Sequence, residues 1–351
     1  MGLDFVKNYG GIRLEGGSPL PDQFNTPSKD EEEGQQIRLD IEFGLENWSA
    51  IQISNVDGWR PDEWDYSPVR FIDGKDVGQI IAWIRSPEGY PVPIRLAQVG
   101  GVAMRIVDGN IRREFFQTEN VVAMPADLFP ADEVEGFAIA LQGLDIRMLP
   151  TAQPKNGYQE ILANYERLRS MDDQRTRFEM LNLEEAAIAQ DACIPTIVDG
   201  ALGMHTGGFD KDTSPVFGVI KRHYRNYLHS VGQRMLYDLH AGERTPAFVI
   251  TPTQRPPLLS WYVKIHNDTG ITPDTGYVRV EVPYDWFVNQ NLDWDFSNRL
   301  SKVLLEYRCR QKSYSRAAVS LHPIVRAEES LGSLFHPESS LYQRFYRVTD
   351  I

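Results

Sequence analysis

Apolar and polar residues alternate along much of the chain, which is the pattern of β-strands that bury one face. The alternating segments IRLDIEF and WSAIQIS come first, and the apolar run VRFIDG (69–74) follows them. The segments PIRLAQVGGVAMRIVDG and NIRREFFQ are rich in β-branched residues and are separated by glycine-containing turns. They predict strands from about Gln36 onward. Residues 1–35 are rich in Gly, Pro, Asp and Glu and predict an irregular lead-in.

A long helix is predicted between Tyr158 and Gln190. This segment is charged, contains no Gly or Pro, and repeats its apolar residues at helical spacing. The apolar strand IPTIVDG (194–200) follows it, and AFVI, LSWYVKI and YVRVEV predict three further strands. Amphipathic helices are predicted from Asn298 to Arg310 and after His322. This order of elements predicts an α/β fold with a mixed sheet flanked by helices, in one domain over residues 36–351.

The composition is that of an ordinary globular protein, with 42% hydrophobic and 24% charged residues. No apolar run approaches the ~20 residues of a membrane span, and the first residues lack the pattern of a secretory signal. Cys193 and Cys309 lie far apart and form no metal-binding pair. We therefore expect a cytoplasmic protein without membrane association. The net charge of −13 argues against coating nucleic acid through overall positive charge.

Two places share one local pattern, an apolar run that ends in Asp-Gly. They are FIDG, which contains Asp73, and IVDG, which contains Asp199. An aspartate at a strand end, followed by a glycine that lets the chain turn, is a rigidly held oxygen ligand for a hard cation. Asp-Gly is also the commonest hairpin signal, so for each motif taken alone a turn is the favoured interpretation. Asp108, between two predicted strands, illustrates this second interpretation.

Further candidates lie on the helix and near the C-terminus. Glu179, with Glu184 as the alternative, is our candidate for a third carboxylate, because a helix that crosses the sheet could complete a site for Mg²⁺ or Mn²⁺. His322 is the one histidine in an interpretable context. Basic residues that could contact DNA phosphates, together with a tyrosine that could stack on a base, are Lys221, Arg222, Tyr224, Arg225 and Arg316.

The order and wording of these motifs resemble the NurA nuclease family. FIDGK, a long acidic helix, IVDGALG, VFGVIKR and YSRAAVSLHPIVR follow one another as in that family, over about residues 69–330. Asp73 and Asp199 match its two metal-binding aspartates, and His322 matches its terminal histidine. The match is looser around that histidine, where Ser315 replaces a proline, and Lys75 stands where a serine is usual.

The resemblance implies a ribonuclease-H-like fold with an N-terminal extension and insertions, and a metal-dependent deoxyribonuclease. Asp73, Glu179, Asp199 and His322 would then bind two Mn²⁺ or Mg²⁺ ions at the scissile phosphate. His322 would orient or protonate a reacting oxygen, and Lys221 would neutralise charge on the phosphate.

The resemblance further implies a homodimer that processes DNA ends with a hexameric HerA-type ATPase, in DNA repair or antiphage defence. The chain itself has no phosphate-binding loop of the P-loop ATPases. Two alternatives stay open. The chain could be a catalytically inactive NurA-like adaptor, or an unrelated binding protein whose Asp-Gly pairs are only turns. The nuclease and the adaptor both require Asp73, Asp199 and His322 to lie close together.

Overall fold

The computed structural model describes residues 2–13, 35–53, 64–151, 165–205, 213–221, 227–253, 255–267, 276–310 and 319–351. Within these residues the strands are β1 Ile12–Arg13, β2 Gln36–Arg38, β3 Ile51–Gln52, β4 Arg70–Arg85, β5 Pro91–Val107, β6 Asn110–Met124, β7 Arg147–Pro150, β8 Thr196–Asp199, β9 Val216–Ile220, β10 Glu243–Arg244, β11 Phe248–Thr251, β12 Leu258–Lys264 and β13 Tyr277–Pro283. The helices are α1 Phe5–Asn8, α2 Ala131–Gln142, α3 Tyr165–Ala189, α4 Ser230–Asp238, α5 Tyr284–Asn289, α6 Asp295–Tyr307, α7 His322–Leu334 and α8 Glu338–Thr349.

All of these strands belong to one mixed sheet. Its main path is β2-β11-β12-β13-β9-β8-β4-β5-β6-β7. Strands β4, β5 and β6 are antiparallel neighbours, whereas β8 lies parallel to β4 on its other side and β9 lies parallel to β8. The order β6-β5-β4-β8-β9, with α3 between β7 and β8 in sequence, is the ribonuclease-H-like arrangement. The predicted mixed α/β fold is confirmed.

Helices cover both faces of the central sheet, as the alternation of side chains requires. Ile72 and Val198 point to one face, where they pack against Ala187 and Ile188 of α3. Their neighbours on the strands, Phe71 and Ile197, point to the other face, into a core shared with residues of α6 and α7 such as Leu300, Leu304 and Ile324. Asp73 and Asp199, the next residues along these two strands, are therefore held between two packed layers.

Strand β4 is longer than the sequence pattern predicts. We expected the first Asp-Gly pair to end a strand, but β4 runs through Asp73 and Gly74 to Arg85, and both residues pair with β5. The second Asp-Gly pair does end its strand, because β8 stops at Asp199 and Gly200 has a φ of +144°. The third, Asp108-Gly109, is the turn between β5 and β6, where both residues have positive φ.

The N-terminal residues are more regular than predicted where the structure describes them. Phe5 and Val6 of α1 are buried, and Phe5 stacks on Phe137 of α2. Strand β1 pairs with β4 at Trp83. The rest of the predicted lead-in, from residue 14 to residue 34, lies outside the described residues. Among the helices that the structure describes, none combines the length and the apolar character needed to cross a membrane.

Candidate functional site

Asp73 and Asp199 lie side by side on neighbouring strands. Ile72 of β4 is the register partner of Val198 of β8, so the aspartate that follows each of them occupies the next position along two parallel strands. Both carboxylates project toward the sheet face that α6 and α7 cover, because Phe71 and Ile197, two residues earlier, point there. The Asp73 side chain is buried, whereas Asp199 is partly buried at the strand end.

A lysine supplies a positive charge between these acids and α7. Lys221 directly follows β9, and its Nζ lies 2.8 Å from Oδ2 of Asp199 and 3.9 Å from Oε1 of Glu328 on α7. The Lys221 side chain is only 11% exposed. The predicted neighbours Asp73, Asp199 and Lys221 are thus brought together, and Glu328 joins them without having been predicted.

The long helix α3 contributes Glu184 from the other face of the sheet. Its Oε1 lies 2.4 Å from the point where a β-carbon on Gly74 would stand. A glycine is therefore required beside Asp73 for the close approach of α3, in contrast to the turn that the sequence suggested. Glu184 is buried, and its Oε2 lies 2.7 Å from Nε2 of the buried His205, which follows Asp199 by six residues.

Glu179, our first choice for the helix carboxylate, is directed elsewhere. Its two oxygens accept hydrogen bonds from Arg147 of β7, at 2.5 Å, and from Arg175, at 3.1 Å. Five residues separate Glu179 from Glu184, which places them about 140° apart around the helix. The structure therefore places Glu184, the alternative candidate, next to Gly74 on the α3 side of the sheet, and directs Glu179 away from it.

His322 is the first residue of α7 and is exposed to solvent. Glu328, six residues further along the same helix and roughly 9 Å along its axis, is the α7 residue that reaches Lys221. No hydrogen bond or ion pair joins His322 to Asp73, Asp199 or Lys221 within the described part of the chain. The histidine that is tied to the carboxylate cluster is His205, through Glu184.

The electrostatics of the cluster are dominated by its negative charges. Burial raises the pKa of Asp73 well above its ordinary value, and the carboxylates of Asp199, Glu184 and Glu328 raise it further, while Lys221 lowers it. Burial alone would lower the pKa of Lys221, but Asp199 and the other acids outweigh it, so that the pKa is raised and the ammonium stays charged. Three carboxylates, those of Asp73, Asp199 and Glu328, therefore share Lys221, and Glu184 adds negative charge near Asp73, so the site favours an additional cation.

The donor chemistry of this cluster fits Mg²⁺ or Mn²⁺, since both prefer carboxylate oxygens. Asp73, Asp199, Glu184 and Glu328 are the residues that would hold such ions. In the conformation described, no three His, Cys, Asp or Glu side chains of the described residues lie close enough together to enclose an ion. Lys221 occupies the position next to Asp199, so ion binding there requires Lys221 to shift.

Of the residues predicted to contact DNA, Lys221 lies within the described residues. Arg222, Tyr224, Arg225 and Arg316 lie outside the described residues. Lys221, the first residue of that basic patch, turns inward to Asp199. Two members of the site were missed from the sequence. Glu328 stands beside the apolar stripe of α7, which is a weak signal of burial, whereas no sequence signal marks His205.

Comparison with known proteins leaves the family open. No family model matches the chain, and no curated protein sequence matches it. Among solved structures, the NurA nuclease from Sulfolobus solfataricus is similar, with a TM-score of 0.41 and 9% sequence identity, over 75% of this chain and 78% of that protein.

Proposed function

We propose that this chain is a metal-dependent nuclease that hydrolyses phosphodiester bonds of DNA. The observation that carries the proposal is the position of Asp73 and Asp199, each one residue beyond the register pair Ile72 and Val198 on adjacent parallel strands, with Glu184 of α3 beside Gly74. These acids come from three rigid elements, as a site that must hold cations at fixed positions requires.

Each polar group of the cluster has a role in this chemistry. Bound divalent ions would supply the positive charge that activates water and stabilises the leaving oxygen. Asp73, Asp199 and Glu184 would hold and orient them, and His205 would fix the Glu184 carboxylate through their hydrogen bond. The Lys221 ammonium, displaced from Asp199, would face the phosphate and neutralise its developing charge.

The substrate and the partner belong to the proposal as well. The sequence resemblance implies DNA as substrate and a hexameric HerA-type ATPase as partner of a homodimer, acting in repair or in antiphage defence. The charge of the chain is consistent with such a partner, because a protein with a net charge of −13 gains little nonspecific attraction to DNA. A motor that grips the duplex would supply that attraction.

A second candidate, the inactive adaptor, is favoured by the Lys221–Asp199 ion pair. An ammonium that neutralises the strand-end aspartate at 2.8 Å can stand in permanently for a metal ion. In that case the cluster stabilises the fold and binds no cation. The fold and the surfaces that contact a partner would be retained without hydrolysis.

The test is hydrolysis of labelled single- and double-stranded DNA with Mn²⁺, Mg²⁺ or EDTA, with the chain alone and with a HerA-type ATPase. Asp73→Asn and Asp199→Asn are compared with Asp108→Asn, a matched control because Asp108 lies in the same Val-Asp-Gly sequence as Asp199 but in an exposed turn. Cleavage that needs metal and is lost only in the first two variants supports the nuclease. Cleavage that persists in both Asp73→Asn and Asp199→Asn would show that these aspartates do not form the active site.

Metal binding distinguishes the two candidates further. For a nuclease, Mn²⁺ at 100 times its dissociation constant should stabilise the wild-type fold by about 2.7 kcal/mol, and Asp199→Asn should abolish the effect. For an adaptor, Mn²⁺ should leave the melting temperature of the wild type unchanged. Lys221→Met should then create Mn²⁺ binding, because it leaves Asp199 without its counterion.

A further inference from the structure

Lys75 lies on the same face of the sheet as the carboxylates of Asp73 and Asp199. It follows Asp73 by two residues in β4, and side chains two apart in a strand project to the same side. The two positions are separated by roughly 6.6 Å along the strand, at ~3.3 Å per residue. This step is comparable to the distance between neighbouring phosphates in an extended nucleic acid strand.

Helix α7 runs beside this row of β4 side chains. Its Glu328 contacts Lys221, and Gly332, one turn later, lies next to Lys75: the Lys75 Nζ is 3.5 Å from the point where a β-carbon on Gly332 would stand. The ammonium lies 5.8 Å from the ring centre of Phe335. Lys75 is partly buried, and its side chain lies along α7 because Gly332 has no side chain to block it.

The charge of Lys75 distinguishes it from the other lysine of the site. Lys221 is neutralised by Asp199, whereas no carboxylate within the described ranges forms an ion pair with Lys75. Its contact with the Phe335 ring leaves the positive charge available to an anion. A partly buried ammonium on the same face as Asp73, Asp199 and Glu328 is suited to an anionic ligand that also reaches cations held by these carboxylates.

We propose that Lys75 binds the phosphate next to the scissile phosphate of the DNA strand. The proposal rests on the proposed nuclease function, and it names a substrate contact of that same site. A lysine binds a phosphate as a point charge and needs no exact orientation, so the flexible side chain along α7 is sufficient. The bound DNA strand would therefore run along the row of side chains from Asp199 through Asp73 to Lys75.

The first experiment measures binding of a labelled single-stranded DNA oligonucleotide to the full chain in the Asp199→Asn background, which prevents cleavage, as a function of salt concentration. Loss of one phosphate contact lowers the slope of log K against log salt by about 0.7, which corresponds to about 5-fold weaker binding at 0.1 M salt. Lys75→Met should show this change and Lys75→Arg should not. Lys302→Met is the matched control, since Lys302 pairs with Glu306 on the surface of α6.

The second experiment replaces single phosphates by uncharged methylphosphonates on either side of the scissile position, and measures cleavage by the otherwise wild-type chain. A methylphosphonate at one adjacent position should reduce cleavage by wild type and cause no further loss in Lys75→Met. The proposal is overturned if Lys75→Met and a methylphosphonate at either adjacent position reduce cleavage independently, so that the two reductions multiply. An unchanged salt slope for DNA binding in Lys75→Met would overturn it as well. If the wild type neither binds nor cleaves DNA, the proposed function itself fails, and this inference fails with it.

Discussion

The Nε2 atom of His205 lies 2.7 Å from Oε2 of Glu184, and the two side chains are 1% and 3% exposed. The histidine follows the strand that ends in Asp199, whereas the glutamate belongs to α3. This buried contact links the segment after β8 to α3, the helix that supplies the proposed third carboxylate. The hydrogen bond restricts the rotation of Glu184 and leaves its other oxygen, Oε1, beside Gly74.

Removal of this contact should impair the site without unfolding the protein. We expect His205→Ala to reduce kcat by about 10- to 100-fold, the usual effect of losing a group that orients a ligand. His205→Gln should restore part of the loss, because its amide can still donate to Glu184. The measurement is kcat and KM on a DNA substrate at saturating Mn²⁺, with the exposed His240→Gln as control. Equal losses in the Ala and Gln variants would contradict a positioning role.

The two helix glutamates should behave differently. Glu184→Gln removes the carboxylate beside Gly74, which we propose as an ion ligand, and should reduce kcat at least about 100-fold. Glu179→Gln instead weakens ion pairs with Arg147 and Arg175, so it should lower the free energy of unfolding by about 1 kcal/mol and change kcat little. Denaturant unfolding and single-turnover cleavage of both variants provide the check. If Glu179→Gln loses cleavage and Glu184→Gln does not, Glu179 is the helix carboxylate that acts in the site.

Gly74 should tolerate no side chain. An added β-carbon would stand 2.4 Å from Glu184 Oε1 and 2.9 Å from Met180 Cγ, so α3 or the glutamate must move away from Asp73. We expect Gly74→Ala to lose at least about 10-fold in kcat. Gly136→Ala in α2 is the control, since nothing lies within 4 Å of its β-carbon position and the change should stabilise the helix by up to about 1 kcal/mol. Full activity in Gly74→Ala would show that the close approach of Glu184 is dispensable.

Asp172 should make the stability of the fold depend on pH. Burial raises the pKa of this carboxyl well above its ordinary value, and the hydrogen bond from Thr151, at 2.5 Å to Oδ1, offsets this only in part. Since the folded state holds the proton more tightly, this contribution to stability is complete below the ordinary pKa of 3.8 and is lost as pH rises toward the folded pKa.

Asp172→Asn should remove the loss of stability that Asp172 causes as pH rises. We expect the variant to match the wild type near pH 4 and to be more stable near pH 8, by about 1.4 kcal/mol for each unit by which burial raises the pKa. Chemical denaturation at both pH values measures the difference, with the exposed Asp108→Asn as control. A variant that is less stable than wild type at pH 8 would mean that the charged carboxylate is stabilised in the fold.

The sequence alone determined the fold class and the two aspartates of the candidate site. Asp73 and Asp199 each follow a short apolar run. That pattern is local, because it depends only on residues that are adjacent in the chain. Strands β12 and β13 and helices α6 and α7 were predicted for the same reason. Their periodicity reflects which face is buried, whatever the neighbouring element is.

Tertiary structure alone decided which other residues surround those aspartates. Glu179 and Glu184 have the same chemistry on the same helix, and only the rotation of α3 against β4, set by the contact at Gly74, separates them. Glu328 and His205 reach the cluster from segments distant in sequence, through packing of α7 and of the residues after β8. Even the role of Gly74 depends on pairing with β5, which continues β4 through an Asp-Gly pair that would otherwise end it. These choices arise from long-range packing, and local sequence patterns carry no record of it.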